Sequence, residues 1–214
     1  MLNTMTPVQL PTSSLCSAAT DHARRVSTPE LFNHVMRSFW FADAVGRQRG
    51  TAYDGDLLYV ACVLHDLGLT GLVPVESRFE VEGADAARRF LAEHGMPARQ
   101  LDIVWDAIAL HTTPTIPQRK CAEIALCQLG IAIDVGVVPA AIVPEAERAA
   151  ALAAFPRAGF EQALLGSLTG LHARSPAAAA ESPVVVEVCE RLVPGYRRVH
   201  FCDVLHAADF AERR

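Results

Sequence analysis

Lysine is all but absent from this chain: Lys120 is the only one among 214 residues. The other basic residues are arginines, scattered rather than striped, and the formal net charge is -5. That excludes the basic face a nucleic-acid binder needs, and it makes an anionic membrane a poor partner. No apolar run reaches membrane-spanning length, and the first residues lack the basic-then-apolar order of a leader. The six cysteines form no Cys-x-x-Cys pair, and several sit in apolar helical stretches where a thiol acts as a small hydrophobe. A disulfide framework is therefore not expected, and a reducing cytoplasmic location is. Strand-like alternation is scarce, and no internal repeat occurs. What is present is apolar: hydrophobic residues make up 51%, enough to exclude a disordered chain and to build a real core at this length.

Punctuation divides the chain into helices. Residues 1–23 are polar, Ser/Thr-rich and aperiodic, and read as a flexible N-terminal arm ahead of one all-α domain spanning 24–214. Ser27-Thr28-Pro29-Glu30 opens a helix to Val45, with a hydroxyl cap and Pro in the first turn. Asp54 or Asp56 opens the next, which ends near His65-Asp66 with Gly68 just beyond, an offset that suits a left-handed closing residue. Further helices are expected over Val81–His94, Ala98–Leu110, Gln118–Gly136, Pro144–Ala154 and Pro156–Ala173. Val184–Val188 is β-branched but has no strand partner of similar quality, so the tail stays ambiguous.

The chemistry gathers at Leu64-His65-Asp66-Leu67-Gly68. An imidazole and a carboxylate at the end of an apolar stretch need hydrogen-bond partners, a counter-charge or a metal. Candidate co-ligands stand at His34 and Asp134, with a further pocket residue at His111. Inward-facing side chains from separate helices of a bundle can converge on one point. Two imidazoles and two carboxylates suit Zn, Fe, Mn or Ni rather than Ca. His65 and Asp66 differ by about 100° around a helix, so they can share an ion only where the helix unwinds. Read singly, His34 fits a core histidine, Asp134 a helix cap and His111 a helix-end histidine. Cys62, one turn before His65, fits packing.

The ordered pattern His34, His65-Asp66, Asp134 resembles the HD superfamily of metal-dependent hydrolases. Several runs look like its cyanamide hydratase branch: Leu31-Phe32-Asn33-His34-Val35-Met36-Arg37-Ser38-Phe39, Leu64-His65-Asp66-Leu67-Gly68-Leu69-Thr70, Arg78-Phe79-Glu80-Val81-Glu82-Gly83-Ala84 and Ala107-Ile108-Ala109-Leu110-His111-Thr112. The likeness covers residues 27–140, leaving 141–214 as C-terminal helices and tail. It implies a helical bundle with a central site and His34, His65, Asp66 and Asp134 as ligands of one divalent ion, zinc first. Relatives that hold two metals add a histidine at the place taken here by Phe79. Its loss implies a single ion and a free His111.

The activity implied is hydration or hydrolysis of a small neutral substrate, cyanamide or a similar nitrile to urea, by a hydroxide generated at the metal. Asp66 would orient the water, while His111 and Thr112 donate to the nitrogen that gains charge. Trp40, Leu69, Thr70 and Phe79 would line the pocket, and Arg78 and Glu80 either shape its mouth or form a surface ion pair. The competing reading is a phosphohydrolase acting on a nucleotide or other phosphomonoester, with Arg37, Arg47 and Arg78 converging as a clamp. A third is a non-catalytic sensing domain. A homodimer is a possible assembly, on the strength of the apolar content.

Overall fold

The computed structural model describes residues 8–208. Among them the regular structure is helical throughout: α1 (Ser14–Val26), α2 (Pro29–Gln48), α3 (Gly55–Leu64), α4 (Phe79–Glu93), α5 (Ala98–Ala109), α6 (Ala122–Asp134), α7 (Glu145–Ala154), α8 (Phe160–Arg174), α9 (Pro176–Ala180), α10 (Pro183–Leu192) and α11 (Phe201–Ala207). Tight 3-10 turns at Leu67–Leu69, Pro117–Arg119 and Ala140–Ile142 join some of them. No described helix is long and apolar enough to cross a membrane.

The second half of the expected arm is a helix. Residues 1–7 lie outside the described residues, but Ser14–Val26 is a helix capped by Ser13, whose hydroxyl accepts from the Cys16 amide at 3.2 Å. Cys16, Ala19 and Ala23 recur at helical spacing and are buried. Small residues form this face, so it packs closely on α3 without raising the local hydropathy that marks a helix. The ambiguous tail is also helical. Ser182 and Pro183 start α10, and its valines are buried on one side instead of pairing as a strand.

Two α-helices frame the site. α2 packs along α6, and the approach is close because Gly130 faces Ser38: a Cβ there would come within 2.1 Å of the Ser38 carbonyl oxygen. α3 is apolar on all sides and buried between α1, α2, α5 and α6, as such a composition requires. It ends at Leu64, so Asp66 falls outside regular helix at φ -96°, ψ 15°. This is the unwinding that lets adjacent residues share one centre.

Gly68 departs from expectation. It is not among the glycines with positive φ. Its hydrogen is needed for a different reason: a Cβ would lie 1.9 Å from the Phe79 carbonyl oxygen, where the start of α4 crosses the 67–69 turn. The apolar side chains form two clusters. The larger joins α1–α7; the smaller joins Leu31, Leu69 and Phe79 to Phe160, Leu168, Leu171, Val185 and Cys189 of the C-terminal helices.

Candidate metal centre

His34 from α2 and His65-Asp66 from the end of α3 meet in the interior, 1%, 0% and 5% exposed. His34 Nε2 lies 3.2 Å from His65 Nε2 and 3.6 Å from Asp66 Oδ2, and His65 Nε2 lies 3.3 Å from the same oxygen. One ligand atom from each of the three lies within 4.8 Å of the others.

The hydrogen bonds behind the rings fix which nitrogen faces inward. His65 Nδ1 is 2.8 Å from the Cys62 carbonyl, and a carbonyl only accepts, so Nδ1 carries the proton. His34 Nδ1 likewise donates to Asp134 Oδ2 at 2.6 Å. In the neutral rings both Nε2 atoms are then acceptors facing each other. Asp66 Oδ2 beside them is buried without a hydrogen-bond partner. Three converging acceptors need a cation between them.

The ionisation balance points the same way. Burial disfavours charge on His65, but the adjacent Asp66 carboxylate outweighs it and raises the ring to about 9. Burial would raise Asp66, yet His65 holds it well below the usual carboxylate range. The donor set of two imidazoles and a carboxylate, each imidazole with its other nitrogen bound to an acceptor, suits a borderline divalent ion.

Asp134 is not in this cluster. It stands behind His34, bonded to Nδ1, while both its oxygens are held by Arg37: Nε to Oδ1 at 2.6 Å and Nη2 to Oδ2 at 2.7 Å. An oxygen on Nδ1 is directed away from anything on Nε2 of the same ring. The expected fourth ligand is therefore, in this arrangement, the group that orients His34. Arg37 is fully buried and also donates to the carbonyls of Phe155 and Pro156. It lies three residues after His34, on the same helix face, a spacing that could have revealed it.

His111 comes to the opposite side of Asp66, with Nε2 3.9 Å from Oδ1 and the ring 4.9 Å from that of His65. Its Nδ1 donates to the Ile108 carbonyl at 2.6 Å. Burial, then the charge of His65, lowers it to about 4. It is thus neutral, with Nε2 as an acceptor, where the sequence reading had a donor. Thr112 is altered in the same sense. Its hydroxyl donates to Glu80 Oε1 at 2.5 Å and has no second proton to give.

Of the expected pocket residues, Phe79 packs edge-on to His111 at 5.5 Å, and Leu69 joins the same apolar cluster. Trp40 does not reach the cluster. It is six residues past His34, about 240° around α2, and its indole donates to Glu147 at 2.9 Å while the ring meets Phe155. Thr70 donates to the Leu67 carbonyl and lines an outer cleft of about 240 Å³ with His22, Leu67 and Phe90.

A protein-family model, the HD domain, matches residues 31–150, more than half of the chain. The chain belongs to the HD-domain family. Its members are metal-dependent hydrolases in general, and divalent metal binding is a property of the HD domain. No curated protein matches the chain.

Sequence reasoning leaves Arg78 and Glu80 between a pocket mouth and a surface ion pair, and it misses Phe160 and Ser182 beside the HD cluster. Glu80 is a fully buried carboxylate held by Arg78, Thr112 and Ser182. Burial opposes its charge, but Arg78 holds its carboxyl below the ordinary value. Phe160 stacks on His34 with ring centroids 4.6 Å apart. The ion pair forms, but Glu80 is buried rather than at the surface; Phe160 and Ser182 lie beyond the motifs and carry no local signal.

Proposed function

We propose that this HD domain holds one divalent ion on His34, His65 and Asp66 and hydrates a small neutral nitrile-like substrate such as cyanamide. The observation that carries the metal assignment is the convergence of two Nε2 atoms and the unpartnered Asp66 Oδ2. A divalent ion there supplies Lewis acidity, which brings the pKa of water from about 15.7 toward about 7.

The residues supply the rest. Asp66, ionised at neutral pH, orients water with Oδ1, the oxygen that faces His111. Neutral His111 accepts the proton of the attacking water at Nε2 and then returns it to the nitrile nitrogen. One C–O bond forms, the C≡N bond order falls by one, and tautomerisation of the isourea gives urea. Base and acid are the same ring in successive steps, a contribution of roughly 10²–10⁴-fold. Thr112 serves as an acceptor for a substrate N–H, because its own proton is held by Glu80. Phe79 and Leu69 exclude bulk water from the apolar side.

A neutral substrate is favoured over a phosphomonoester by where the arginines are engaged. Arg37 is bound to Asp134, Arg47 to Asp43 and Glu147, and Arg78 to Glu80. None of these three is left facing the cluster as a phosphate clamp. We place the protein in the cytoplasm, in keeping with its unpaired cysteines.

The test is urea release from cyanamide by the zinc-loaded protein, with phosphate release from nucleotides and simple phosphomonoesters measured in parallel. Urea formation that disappears in His65→Ala is expected. Phosphate release with no urea would replace this reading by the phosphohydrolase.

A further inference from the structure

The metal cluster is sealed, and part of the seal lies outside the matched HD region. His34, His65, Asp66 and His111 are at most 5% exposed, so neither an ion nor a substrate reaches them without movement of their cover. Phe160, the first residue of α8, lies nearly flat on His34, the ring planes 23° apart. Behind it α8, α9 and α10 pack chiefly on one another and meet the rest of the molecule most extensively through α2 and the 67–69 turn.

Ser182 is unusual in this unit. A serine at a helix N-cap ordinarily accepts from an amide in the first turn. Ser182 caps α10 without such a bond. It is fully buried, and its hydroxyl instead donates to Glu80 Oε1 at 3.0 Å, 102 residues away. The same oxygen takes Thr112 and Arg78, so the unit is tied to the HD core at the carboxylate that sets Thr112.

The chain leading into the unit is fixed and then free to turn. The carbonyls of Phe155 and Pro156 are held by Arg37, Asn33 also binds Pro156, and Arg157 donates to the Asp134 carbonyl at 2.9 Å. Gly159 follows at φ 77°, immediately before α8 begins. A glycine between a fixed segment and a helix is suited to absorb a hinge rotation.

We propose that α8–α10 form a cap that opens about Gly159, and that the Ser182–Glu80 hydrogen bond is its latch. Residues beyond the matched region then decide what reaches the ion. The inference rests on the metal reading of the HD cluster. A hydroxyl-to-carboxylate bond is strong enough to shift an opening equilibrium by about tenfold to a hundredfold.

The experiment loads the full chain with Zn²⁺, measures zinc per chain, and follows its withdrawal by excess chromophoric chelator. Ser182→Thr should release zinc within about threefold of the wild-type rate. Ser182→Ala should release it roughly tenfold faster or more. Ser182→Asp should be faster still, because a second buried carboxylate then faces Glu80. Wild-type protein that binds no zinc would overturn the metal reading and the latch with it. One zinc per chain with equal release rates in all four proteins would overturn the latch alone. Where a variant does not fold, amide hydrogen exchange of the wild type decides. The amides of α8 and α10 should exchange together and be less protected than those of α2 and α6; equal protection overturns the cap.

Discussion

All three imidazoles of the site share one hydrogen-bond polarity. Each donates from Nδ1, to Asp134, to the Cys62 carbonyl or to the Ile108 carbonyl, and each points Nε2 inward. In its neutral form a side chain so arranged is a base or a ligand, and for His111, lowered to about 4, Nε2 is an acceptor, which is the basis of the proton-carrying role proposed for it. His111→Gln should lower kcat for urea release by roughly 10²–10⁴-fold while one ion per chain remains. Loss of the ion together with activity would make His111 a ligand instead. The grouping of His34, His65 and Asp66 is legible in the sequence through the order of their motifs, since a His-Asp pair alone is more often an ordinary helix end. The placing of Asp134 was not, because spacing cannot tell a carboxylate on Nε2's side of a ring from one on Nδ1's. The bond from His34 Nδ1, with Arg37 on both Asp134 oxygens, places it here.

At the level of elements, helix caps and breakers gave most boundaries. The Thr28 cap with Pro29 stands where the sequence puts it, and of the two acidic starts offered for α3 it is Asp54 that caps. The failures have physical causes. α1 hides its buried face in alanine and cysteine, and α10 carries valines whose strand propensity yields to burial on a helix face. Gly68 was identified as special but for the wrong reason, since contact between segments 11 residues apart does not appear in local pattern. Gly68→Ala should force apart the 67–69 turn and the start of α4. We expect a loss of about 3 kcal/mol, read as a fall in Tm of roughly 6–12 °C. An unchanged Tm would mean that this crossing is not close-packed.

At the scale of the molecule, an HD core supplies the ligands and a C-terminal unit closes over them. The all-helical class was legible from the lack of alternation, and the core motifs from their order. The closure was not, because Phe160 and Ser182 act across distances of more than 100 residues, on His34 and Glu80. The sequence leaves the tail ambiguous; tertiary packing makes it helical. The central claim is that His34, His65 and Asp66 form a centre for one divalent ion. Elemental analysis of the purified, metal-loaded protein beside its His65→Ala variant tests it most directly. One ion per chain in the wild type and none in the variant is the result predicted; no ion in the wild type, two ions, or an undiminished content in the variant would contradict it.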